Sequence, residues 1–255
     1  MPNNTLVALS WQTALRREID VVSNNIANLS TTGYKTDNAA FSEYLSTGAQ
    51  ANQFDGPDRR VSFVQDRQTW HDFSQGPFKV TGAPLDVAID GDGFFVVQTN
   101  RGERFTRNGS FQINNVGELV TSNGDRVLSD GGPIVFQPND RDITITADGT
   151  IKVREGANAK SDSTRGKLRV VMFNNNLPLQ KDGTSMFSAP ANLQQEPATK
   201  SRIVQGAIEQ SNVKAVVEMA RLIQVTRHYT EVANIIQQQS DLRRNSIQQL
   251  AEVPA

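Results

Sequence analysis

The chain contains no cysteine. That excludes disulfides, thiolate metal sites and cysteine nucleophiles. The two histidines, His71 and His228, stand far apart, and neither has a second histidine near it in a ligand pattern. The net charge is only -1, which argues against a surface for nucleic acid or an anionic membrane, since both need a basic patch. No run approaches the roughly 18 apolar residues of a membrane-spanning helix; Phe94-Phe95-Val96-Val97 is typical of the longest. Met1-Pro2-Asn3-Asn4-Thr5 has none of the basic start, apolar middle and cleavage site of a secretory signal. Gly-x-Ser-x-Gly, Walker and dinucleotide fingerprints are also missing.

What is present is organised by periodicity. Ala8, Trp11, Leu15, Ile19, Val22, Ile26 and Leu29 recur at steps of three and four, one stripe of a helix with about 3.6 residues per turn. The spacing predicts a helix that ends at Gly33, where positive φ is available. At the other end, Ala215, Met219, Leu222, Thr226, Tyr229, Ala233, Ile236, Ser240, Arg243, Ile247 and Leu250 alternate steps of four and three. Helices that pack side by side show this spacing. Val216, Ile223, Val232 and Ile235 make a second apolar row. Polar residues interrupt both rows, which suits burial against several neighbours better than pairing with one.

Between the helices the pattern changes. Residues 36–80 read as an irregular linker with short extended pieces at Val61–Val64 and Thr69–Phe73, broken by Gly48, Gly56-Pro57 and Gly76-Pro77. Residues 81–204 read as a β-domain. Leu85–Ile89 alternates as a half-buried strand does. Asp92-Gly93, Asn108-Gly109, Asn123-Gly124, Asp148-Gly149 and Asp182-Gly183 supply turn signals between apolar runs. Strands are expected at 93–99, 103–107, 111–113, 119–121, 143–146, 150–153 and 168–173. The fold class is therefore α+β: N- and C-terminal helices over 1–35 and 205–255 packing as a coiled-coil-like domain, with an inserted all-β domain rich in hairpins.

Candidate chemistry is thin. Asp90-Gly91-Asp92-Gly93 has two carboxylates in a calcium-loop arrangement, but Phe94-Phe95-Val96-Val97 follows at once and no closing glutamate does. A tight turn into a buried strand explains it better. Carboxylate pairs such as Asp86 with Asp90 and Asp140 with Asp142 are expected by chance among 27 acidic residues. No catalytic, cofactor-binding or metal residue is assigned, no cofactor is expected, and the chain is not read as an enzyme.

Four stretches carry a resemblance. Asn24-Asn25-Ile26-Ala27-Asn28 followed by Thr31-Thr32-Gly33-Tyr34-Lys35 resembles the N-terminal signature of the flagellar rod and hook family. Pro84–Val97 resembles that family's core β motif, and Arg104–Phe111 the element after it. Gly206-Ala207-Ile208-Glu209-Gln210-Ser211-Asn212-Val213 resembles the family's lead-in to its last helix. The resemblance implies a structural subunit of the flagellar basal-body rod, self-assembling with other copies of itself and with neighbouring rod proteins into a torque-transmitting drive shaft. It also implies a periplasmic rod location, passage through the flagellar type III export apparatus without cleavage of a signal peptide, and no nucleic-acid partner or direct membrane insertion. Within the rod group, length and the 61–76 stretch are most similar to the proximal members. The distal member carries Gln-Arg-Ala-Tyr-Glu where this chain has Thr226-Arg227-His228-Tyr229-Thr230. The distal rod protein, and beyond it a phage-tail or adhesin-like structural protein, are the alternatives. The expected assembly interface comprises Trp11, Leu15, Ile19, Val22, Asn24, Asn25, Ile26, Asn28 and Leu29 with Met219, Leu222, Tyr229, Ala233 and Ile236. The three asparagines are expected to bridge subunits.

Overall fold

The computed structural model describes residues 2–47, 60–156, 162–174 and 178–251. The chain forms two compact units. One holds the first helix, Asp37–His71 and the last helix; the other holds Asn28–Thr36 and Asp72–Val213.

In the first unit, α1 spans Pro2–Ala27 and α2 spans Ala215–Ala251. Proline at the first position of α1 loses nothing, because that N–H has no partner inside a helix. α1 stops six residues before Gly33, in a turn where the Thr31 amide donates to the Asn28 carbonyl at 3.2 Å. The helices meet around Leu15, Val225 and Val232, with Ala8, Ile19, Tyr229 and Ile236 packed against them. The buried row of α2 is thus rotated from the expected seam: Val225 lies inward, and Thr226, Ser240 and Arg243 face solvent. Taking Val225 for Thr226 keeps the row apolar at steps of four and three, so burial selects it.

The segment expected to be irregular over 36–80 holds instead a two-stranded ribbon of Thr36–Thr47 and Arg60–Asp72, followed by a short strand, Phe78–Val80. The breakers Gly48 and Gly56-Pro57 lie outside the described residues. The helical period also resumes later than Gly206. Arg202–Gln205 pairs with Val87–Asp90, and Ala207–Glu209 pairs with Phe78–Val80. Residues 28–36 and 205–213 therefore belong to the β-rich unit, not to the helices.

That second unit is built on antiparallel sheets, the largest of ten strands. Its central strand, Phe94–Thr99, explains the unbroken apolar run. Successive side chains point to opposite faces, and both faces are covered. Phe95 and Val97 enter one cluster with Val87, Ile89, Phe111, Leu119 and Ile151; Phe94 and Val96 enter another with Phe105, Phe173 and Phe187. Edge-to-face rings tie the second cluster, Phe105 to Phe173 at 4.9 Å and Phe94 to Phe187 at 5.9 Å. Four of the five Asx-Gly glycines have positive φ. The exception, Gly109, is a close approach: a Cβ there would lie 1.8 Å from the Val87 carbonyl oxygen.

Candidate functional site

In the β-rich unit, three of the sequence signatures converge on one buried cluster. Lys35 and Glu209 are both fully buried, and the Lys35 Nζ lies 2.7 Å from Glu209 Oε1. The same Nζ donates to the Ser74 carbonyl at 2.6 Å. Glu209 Oε1 also accepts from the Gly76 amide at 2.8 Å, and Oε2 accepts from Arg107 Nη1 at 3.3 Å. Arg107, 2% exposed, lies with its guanidinium 5.4 Å from the Phe94 ring centroid, and its Nε has no hydrogen-bond partner. Two cations thus share one carboxylate away from water. Burial pushes the Lys35 ammonium below its ordinary range, and Glu209 pulls the other way. Burial likewise lowers Arg107, opposed first by Glu209 and then by Asp92.

Backbone contacts seat the cluster. The Gly33 amide donates to the Glu209 carbonyl at 2.8 Å. Gly33 has φ +67, and a Cβ there would lie 2.4 Å from the Asn108 amide nitrogen. Its role is therefore to let the Thr-Thr-Gly-Tyr-Lys segment reach the Arg107-Asn108 backbone, not to cap α1. Gly76 is equally confined, since a Cβ would sit 2.1 Å from the Gln210 carbonyl oxygen. Tyr34 is fully buried beneath the Lys181 ammonium, 3.7 Å from the ring centroid. Sequence reasoning assigns no role to Lys35, Arg107 or Glu209, and it is the structure that shows why Glu209 is inside: in the strand Ala207–Glu209 it shares the buried face of Ala207, while Ile208 between them is half-buried.

The expected interface residues divide in three. Leu15 and Val22 are buried; Ile19, Ile26, Asn28, Leu29, Leu222, Tyr229, Ala233 and Ile236 are half-buried; Trp11, Asn24 and Met219 are exposed. Asn25 is fully buried, and its amide acts within the chain. Its Nδ2 donates to the Asp37 carbonyl at 2.9 Å and to Glu218 Oε2 at 3.2 Å, while its Oδ1 accepts from the Asp37 amide at 2.9 Å. Glu18 and Arg221 form a further cross-helix ion pair at 2.9 Å. On α2, Val216, Met219 and Ile223 are exposed by 77%, 47% and 64%. Nine residues, about two and a half turns, separate Val216 from Val225, so these three side chains lie on the face opposite the one that α1 covers, whereas Val232 of the expected second row is buried against α1.

Among the described residues no group of three histidine or carboxylate side chains is placed to hold a metal. Among them, too, no helix is long and apolar enough to cross a membrane.

Three family models match: a flagella basal body rod protein model over residues 6–35, a flagellar hook protein FlgE/F/G D1 domain over 88–153, and a flagellar basal body rod FlgEFG C-terminal model over 204–250. The flagellar basal-body rod protein FlgF of Caulobacter vibrioides is 37% identical over 254 residues, 99% of this chain and 100% of that protein. FlgF of Mesorhizobium japonicum is 32% identical over 98% of each chain. FlgG of Agrobacterium fabrum is 32% identical over 90% of this chain and 92% of its own. The models fall on both helices, on the central strands and on the Glu209 lead-in, and the full-length likeness joins them: the chain belongs to the flagellar basal-body rod proteins, as a FlgF-like structural subunit of the rod.

Proposed function

We propose that this subunit occupies the proximal rod in the periplasm, reaches it through the flagellar type III export apparatus without signal cleavage, and assembles through the outward faces of its two helices. The observation that carries the interface is the Val216, Met219 and Ile223 stripe, which is apolar and exposed on the side of α2 away from α1. A contact that joins unlike patches on successive copies builds a helical tube when its rotation does not close into a ring. Trp11 and Leu9, 50% and 52% exposed on α1, are the matching unlike patch. Other copies and neighbouring rod proteins are the partners, and torque passes along the resulting shaft.

The subunit has no catalytic role. Asp148 and Ser201 line the same shallow hollow, but Asp148 is held down to about 2 by hydrogen bonds from the Thr146 and Thr150 hydroxyls. So weak a base takes no proton near neutral pH. The Ser201 hydroxyl is turned to the Asp92 carbonyl.

Ile223→Asp tests the interface. Ile223 is largely exposed, so the substitution should leave the free subunit's stability within about 0.5 kcal/mol yet abolish incorporation into rods and swimming. Normal rods with Asp at 223 would refute the assignment of this face.

A further inference from the structure

The chain passes between its two units four times, after Ala27, Thr36, His71 and Val213. Asn212, beside the last passage, has an amide that reaches two of the others. Its Oδ1 accepts from the Thr36 amide and from the Thr36 hydroxyl, each at 2.8 Å. Its Nδ2 donates to the Asp72 carbonyl at 2.8 Å and to the Ser74 carbonyl and hydroxyl at 3.1 Å. The Asn212 backbone amide adds a contact to the Tyr34 carbonyl at 3.4 Å. Both donors and both acceptor positions of one side chain are therefore in use. They lie on three strands that are 36, 72 and 212 in sequence, each at the margin of the β-rich unit. The Ser74 carbonyl also takes the Lys35 ammonium, so the buried charge cluster and this tie share an acceptor.

We propose that Asn212 is a positioning residue for rod assembly: it ties three of the four crossing strands into one bundle as they leave the β-rich unit. Untied, each strand would be a separate single-chain tether, free to twist alone. Tied, they carry a twist together. An asparagine suits the post because it offers two donors and two acceptor lone pairs on a short, stiff stem, and because both neighbouring partners include backbone groups that no charged side chain need match. Aspartate would keep the bonds from Thr36 and lose those to Asp72 and Ser74. This inference rests on the chain's being a rod subunit.

The absence of cysteine supplies the test, since an introduced pair is the only thiol chemistry in the chain. Three full-length proteins are compared: wild type, Asn212→Ala, and Thr36→Cys with Asn212→Cys. In Asn212→Ala, exchange of the Gly33 amide, which is bonded to the Glu209 carbonyl, should accelerate about tenfold or more, while amides of the core strand Phe94–Thr99 keep their protection. The same allele should fail to restore swimming to cells lacking the gene. The double-cysteine protein should oxidise to an intramolecular disulfide, regain slow Gly33 exchange, and restore swimming; reduced, it should behave as Asn212→Ala. Wild-type exchange and swimming in Asn212→Ala would overturn the proposal. So would failure of the pair to oxidise, or an oxidised form as immotile as the reduced one. If cells lacking the gene swim normally, the rod reading itself has failed, an outcome separate from all of these.

Discussion

Replacing Glu209 with alanine should damage the β-rich unit more than any other single charge removal. The carboxylate is fully buried and is the partner of Lys35 at 2.7 Å and of Arg107 at 3.3 Å. Breaking a buried pair by removing one member costs about 3–5 kcal/mol, because the remaining charge has no counter-ion. Here two cations are stranded, and the Gly76 amide loses an acceptor, worth roughly a further 1 kcal/mol or more. Against a stability of about 5–15 kcal/mol for a domain, the variant should be near its unfolding limit. Lys35→Met is the informative contrast. It leaves Glu209 paired with Arg107 and fills the site with a side chain of similar length, so a loss of under about 2 kcal/mol is expected. The double variant should lose clearly less than the two singles summed, since residues in one network couple. Exchange of core amides in Phe94–Thr99, measured against denaturant, reports the global opening of this unit. A Glu209→Ala loss under about 1 kcal/mol, or strict additivity with Lys35→Met, would refute the account of the cluster. A pH arm adds a sign. Burial, the largest influence, holds the folded Lys35 below its ordinary 10.5, so folding releases a proton between the folded value and 10.5. Wild-type stability relative to Lys35→Met should rise with pH through that window and stay flat below it.

Two further outcomes follow from local geometry. Gly93→Val should lower the melting temperature by roughly 5–15 °C, because Gly93 has φ +142 and a Cβ there would lie 2.9 Å from Val170 Cγ1; Asp90→Asn and Asp92→Asn should shift it by less than about 2 °C, and the reverse ranking would restore a carboxylate site. Asp140 receives Arg165 Nη2 at 2.6 Å and Nε at 2.7 Å, and these bonds hold its carboxyl below the usual 3.8. Its contribution to stability is therefore full above that value and lost as pH falls through the folded one; Asp140→Asn should flatten this acid limb in a denaturation series between about pH 2 and 5.

The parts of the fold that were legible share one property: their signals are local. Phe111–Ile113 and Leu119–Thr121 were expected at those bounds and are found there, because turn residues flank each short apolar run. The Phe94–Thr99 run was legible as a strand since two clusters need both of its faces. The ribbon of Thr36–Thr47 and Arg60–Asp72 was not. Asp37-Asn38-Ala39-Ala40-Phe41-Ser42-Glu43-Tyr44 contains no strict alternation, so the period-two pattern by which a strand is recognised is missing there. The inward row of α2 was missed by one residue for a related reason. The row that α1 covers, Val225, Tyr229, Val232 and Ile236, takes residues from both expected rows, and spacing alone does not say which combination burial selects.

The buried charges were illegible for a different reason. Lys35 and Glu209 are 174 residues apart, and each sits in a turn-rich stretch where a charged side chain reads as solvated surface. Only the fold brings them together. The motifs that identify the family are thus chiefly devices for joining the chain to itself: glycines at 33 and 76 that let backbones touch, charges at 35, 107 and 209 that recognise one another, amides at 25 and 212 that fasten strand ends. On the proposed interface, contact with neighbours falls instead to residues such as Val216 and Ile223, for which apolarity and exposure suffice. The internal joints and the outward faces then make separate demands on the sequence. Swapping the exposed α2 stripe between a FlgF and a FlgG relative should therefore move a subunit's place in the rod without unfolding it, whereas Glu209→Ala should bring it near unfolding without redirecting it to another place.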